Sequence, residues 1–111
     1  MREREMPVTV EDLRRTAQRM LPPESLPEEV RKARLLDSMA GVLAANYDGI
    51  VLKKNITGYC PQHLDDRIES VGIFYRHKLV GVRLVDVNCT AVELMQDISG
   101  VFRSSSERVG I

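Results

Sequence analysis

The chain has 111 residues, 43% hydrophobic and 29% charged, the composition of one folded domain with its own core rather than of a disordered segment. Sixteen lysines and arginines balance sixteen aspartates and glutamates, which excludes bulk attraction to nucleic acid as a driving force and removes one barrier to self-association. No apolar run approaches the ~20 residues of a membrane span, residues 1–7 lead into no apolar signal core, and two cysteines are too few for a disulfide scaffold, so a cytoplasmic location is the expectation.

Residues 1–8 alternate in charge and are expected to form a flexible lead-in. A helix follows Thr9. The threonine hydroxyl is placed to cap the free amides, and Asp12, three residues on, can return the bond. Val10, Leu13, Ala17, Met20 and Leu21 then recur at helical spacing until Pro22 and Pro23 end the helix. The second helix is predicted over 27–46, with Pro27 at its first helical position, Glu28 and Glu29 in the first turn, and Glu28 spaced to pair with Lys32. From Leu35 onward apolar residues occupy nearly every side of the wheel, interrupted mainly by Asp37 and Ser38. This predicts a buried central helix with an exposed start over 28–34.

Gly49 can take the left-handed conformation that closes the helix. A strand is predicted over 50–57, with Ile50, Leu52 and Ile56 on one face. Residues 59–69 read as one or two helical turns. Two strands, 69–76 and 79–87, flank a tight polar turn at Arg76-His77-Lys78. In the first, Val71, Ile73 and Tyr75 share a face opposite Gly72 and Phe74. In the second, Val80, Val82 and Leu84 alternate with Leu79, Gly81, Arg83, Val85 and Val87. Both faces of the hairpin are therefore partly apolar, where a sheet with one solvated face alternates more cleanly. Either a second copy of the chain covers the outer face, or a bulge near Leu84 and Val85 shifts the pattern. Thr90 and Glu93 form a capping box for a last helix through Ala91, Leu94, Met95, Ile98, Val101 and Phe102, with Gly100 near its end. The fold class is α+β in the order α-α-β-(α)-β-β-α: residues 9–103 form a single domain of two N-terminal helices, a three-stranded antiparallel sheet and a C-terminal helix, and 104–111 form a flexible tail.

Three groups of residues bear on function. Cys60 and His63 have the close spacing of metal ligands, and Asp65 and Asp66 beside them, with Glu69, add oxygen donors. His77 and Cys89 complete a two-cysteine, two-histidine set, but the last predicted strand separates them, against one tetrahedral site. Arg14, Arg15 and Arg19 of the first helix, with Arg76, Lys78 and Arg83 of the hairpin, are the candidate nucleic-acid contacts, diluted by Glu11 and Asp12. Leu35, Met39 and Val42 of the second helix, with Phe74, Val85 and Val87 of the hairpin, are the candidate interface. No phosphate-cradling glycine loop, nucleophile elbow or zinc-protease helix is present. The expected function is a non-enzymatic binding or regulatory module acting through protein contacts as a homodimer, with no cofactor. A nucleic-acid-binding regulator is the second reading, and a metal-dependent enzyme or zinc-stabilised domain is the third.

Overall fold

The computed structural model describes residues 9–55 and 68–109. They form an α+β arrangement: helix α1 (Val10–Arg19), helix α2 (Glu28–Asn46), strands β1 (Ile50–Lys54), β2 (Ile68–Tyr75) and β3 (Lys78–Asp86), and helix α3 (Ala91–Val109). The strands make one antiparallel sheet in the order β1-β2-β3. α2 packs on β1, α3 on β2 and β3, and α1 rests on α2 and α3 without reaching the sheet. The helical turn expected over 59–69 lies outside the described residues except for Ile68 and Glu69, which belong to β2.

Both expected capping boxes form. The Asp12 amide donates to Thr9 Oγ1 at 3.1 Å, and the Thr9 amide to Asp12 Oδ2 at 3.5 Å. At α3 the Glu93 amide donates to Thr90 Oγ1 at 3.1 Å and the Thr90 amide to Glu93 Oε1 at 2.9 Å. Each box satisfies two amides that have no partner within the helix.

Helix α2 departs from its expected role. Pro27 takes the cap position with φ −58° and ψ 148° rather than the first helical position. Only one stripe, Leu35, Met39 and Leu43, is fully buried, at the i, i+4, i+8 spacing of a single face. Gly41, Ala44 and Ala45 on other faces are exposed. They carry so little apolar area that leaving them in water costs little. The polar start is the part that is tied down. Arg31 and Lys32, expected in solvent, are buried. Arg31 Nε donates to the Pro22 carbonyl at 3.2 Å and its Nη1 to Glu28 Oε2 at 2.8 Å. Lys32 Nζ donates to the Val87 carbonyl at 2.6 Å and pairs with Glu29 at 3.0 Å, so the pairs form at i,i+3 instead of the expected Glu28–Lys32 pair. Glu28 Oε1 accepts the Ala91 amide of α3 at 2.9 Å.

The β2–β3 hairpin closes through Arg76 and His77, both in the left-handed region with φ of 53° and 71°, as a two-residue type I′ turn requires. A bulge is present, but at Val80. Ile73 pairs with Gly81 and Phe74 with Leu79, leaving Val80 as the extra residue, not Leu84 or Val85. The bulge carries Val80 into the core, while Val82 and Leu84 stay on the face of Phe74 and Gly72.

Helix α3 does not end near Gly100. It runs on to Val109, so the flexible tail expected from residue 104 is helical that far, and Ser105 within it is fully buried. Gly100 is a point of close approach. A side chain there would crowd the Arg83 guanidinium, which reaches over it to Asp97 Oδ1 at 3.1 Å. Gly81 on β3 plays the same part against Val101 and Ser105. The buried hydroxyls of Ser99 and Ser105 donate to the Met95 and Val101 carbonyls at 2.9 and 2.8 Å, which removes their desolvation penalty.

Two outcomes follow from this packing. Gly81→Ala would drive its methyl into Ser105 Oγ and is expected to destabilise the fold by about 1–3 kcal/mol in urea unfolding. Ser105→Ala in the same chain should recover part of the loss, and strict additivity would argue against the contact. At Glu28, the hydrogen bond from the Ala91 amide, aided by Arg31 and Lys32 and opposed by desolvation, lowers the carboxyl pKa. The carboxylate therefore stabilises the fold above the ordinary carboxylate range, and that contribution is lost as pH falls through its lowered folded-state pKa. Glu28→Gln should lower the melting temperature at neutral pH, with the gap to wild type closing on acidification. A gap of constant size across the acid range would contradict this role.

Candidate functional site

Strand register defines the two faces of the sheet. Ile50, Leu52, Val71, Ile73, Gly81 and Val85 face the helices, and the five that carry hydrophobic side chains are buried. The opposite face carries three cross-strand rows. Val51 pairs with Phe74 and Phe74 with Leu79; Lys53 pairs with Gly72 and Gly72 with Val82; Ser70 pairs with Leu84. On this outer face Val51, Val82 and Leu84 remain 46%, 37% and 49% exposed. Phe74 and Leu79 are half-buried between them, with the Lys53 ammonium 5.2 Å from the Phe74 ring centre. The expectation that both faces of the hairpin are apolar is met.

The residues expected to form an interface are divided by the fold. Leu35, Met39 and Val85 lie in the core and are closed to any partner. Val42 and Val87 are half-buried, and only Phe74 belongs to the outer face. Sequence reasoning missed Val51, Val82 and Leu84. The alternation Ile50-Val51-Leu52 carried the signal for the first, and the other two needed the bulge placed at Val80.

The six basic candidates do not share a surface. Arg14 and Arg15 are paired with Glu11 and Asp12 at 2.6 and 3.5 Å, and with Arg19 they lie on α1, the helix layer away from the sheet. The depression along α1 between Glu11, Arg14, Arg15 and Gln18 is lined by these same paired arginines. Arg83 pairs with Asp97 over the helix-facing side of β3. Arg76 and Lys78 are exposed at the hairpin tip, with Arg76 over the Tyr75 ring at 5.1 Å.

Cys60, His63, Asp65 and Asp66 lie outside the described residues. Glu69, expected beside them, pairs with Lys54 at 3.5 Å. His77 and Cys89 flank opposite ends of β3. Among the described residues no three His, Cys, Asp or Glu side chains come together to hold a metal ion, and no helix is long and apolar enough to cross a membrane. Comparisons of the chain with protein-family models, with curated proteins and with solved structures each find no match.

Cys89 is half-buried within the β3–α3 loop, whose Val87 carbonyl Lys32 holds. Burial raises its thiol pKa, opposed by the Lys32 charge and reinforced by Asp97, Glu93 and Asp86. In Cys60→Ser protein at about pH 8, Cys89 should be alkylated by iodoacetamide more slowly than free cysteine, because the thiolate is the reactive form. A rate equal to that of the free thiol would count against this environment.

Proposed function

We propose that the chain is a small non-enzymatic binding module that pairs with a second copy of itself through the outer face of its sheet. The observation that carries the reading is the grouping of Val51, Val82 and Leu84, all exposed, around Phe74 and Leu79 on one face. Contiguous exposed apolar surface on a soluble domain marks a contact site. A second copy is the occupant for two reasons. Zero net charge imposes no repulsion between copies. The face also carries its own complementary rim, with Lys53 at the β1 margin and Asp86, paired with Ile68, at the β3 margin. A two-fold axis passing between these margins lays each charge over its opposite in the other copy.

The scatter of the basic candidates over three surfaces favours this reading over a nucleic-acid regulator. A cytoplasmic location accords with it.

Light scattering on a sizing column at micromolar concentration should give twice the 12.6 kDa chain mass. Leu84→Glu should still melt cooperatively, because the side chain is exposed, but elute at the single-chain mass. A wild-type monomer, or a dimer indifferent to Leu84→Glu, would overturn the proposal.

A further inference from the structure

The tip of the β2–β3 hairpin lies outside the apolar face and stands on separate observations. A type I′ turn needs positive φ at both central residues, a geometry that Asn-Gly meets at least cost. This chain places Arg76 and His77 there, at φ 53° and 71°. Side chains held in that region are strained, and strain of this kind gathers at functional positions.

The turn is braced from behind. Gly49, itself at φ 87°, accepts the Arg76 amide at 2.9 Å, and a side chain on Gly49 would come within 3.1 Å of Arg76 Cγ. The brace leaves Arg76, His77 and Lys78 exposed together. Among the described residues neither Arg76 nor Lys78 has a carboxylate partner; Arg19, Arg34, Lys53, Arg103 and Arg108 share that condition, but only at the tip do two such cations stand within three residues on one turn. The tip is thus a rigid display of uncompensated cationic donors.

We propose that this tip anchors an acidic segment of a partner protein through its carboxylates. Carboxylates fit better than a nucleic acid, because the aromatic rings nearest the tip are already faced by cations, Tyr75 by Arg76 and Phe74 by Lys53, and offer bases no open stacking surface. Charge-assisted contacts from an arginine and a lysine suit carboxylate pairs. The proposal goes beyond the self-pairing above and does not depend on it.

The test is fluorescence anisotropy with a labelled octaglutamate at low salt, set beside octathymidylate. Wild type should bind the peptide saturably, more tightly than the oligonucleotide, and more weakly as salt is added. Arg76→Asn combined with His77→Gly installs the relaxed turn. It should raise the melting temperature while weakening peptide binding about tenfold or more. Arg103→Gln, which removes one exposed charge from α3, should leave binding within about twofold. A higher melting temperature with lost binding separates a binding role from misfolding. Absence of saturable binding, undiminished binding by the turn variant, an equal loss in Arg103→Gln, or tighter binding of octathymidylate would each overturn the assignment.

Discussion

The seat of α3 against β3 governs the rest of the molecule. At Gly81 the strand has no side chain, so the helix comes close enough for Val101 and Ser105 to lie against the strand backbone. At the residue before Val101, Gly100 leaves room for Arg83 to cross the helix and reach Asp97. These two gaps let the helix cover the inner faces of β2 and β3 while Phe102 packs on Tyr47 at the end of α2, ring centres 5.6 Å apart. With the inner face closed in this way, the apolar residues of the other parity are left outside. Val51, Val82 and Leu84 are exposed because α1, α2 and α3 all lie on the opposite side of the sheet.

A second constraint fixes where α3 begins. Glu28 receives the Ala91 amide, and Lys32 holds the Val87 carbonyl just upstream. The first turn of α2 therefore grips the loop between β3 and α3 through two hydrogen bonds to charged groups, which are stronger than neutral ones. Arg31 turns the other way and holds the Pro22 carbonyl near the start of the α1–α2 connection. Three parts of the chain, two of them far apart in sequence, meet at one helical turn, and the ion pairs among Glu28, Glu29, Arg31 and Lys32 offset the cost of burying two cations there.

The hairpin tip and the outer face answer different physical problems. The face exposes the apolar side chains of Val51, Val82 and Leu84, a problem of area. The tip is cationic surface without counter-charge, held in a conformation that its residues do not prefer. Both appear on the β2–β3 hairpin, the segment whose two-sided pattern stood apart in the sequence.

Local chemistry alone determined much of this protein. Thr9 with Asp12 and Thr90 with Glu93 announce helix starts because each box closes within four residues. Alternation marked the strands, and the order of elements set the class, because all these signals depend on near neighbours. The apolar character of both hairpin faces was legible for the same reason. The tertiary structure alone decided which apolar residues were core. Leu35 and Met39, read both as buried helix and as interface, are core, and on β3 Val85 was placed in the interface while Val82 and Leu84 did not stand out, because a one-residue bulge at Val80 reassigns the faces of that strand and nothing within Val80-Gly81-Val82 reveals it. It likewise decided that Arg31 and Lys32 are buried, that Gly100 admits Arg83 instead of ending a helix, and that the helix continues past residue 104. Each of these rests on a partner between nine and 55 residues away, as the Lys32 bond to Val87 shows, and such contacts leave no trace in local spacing.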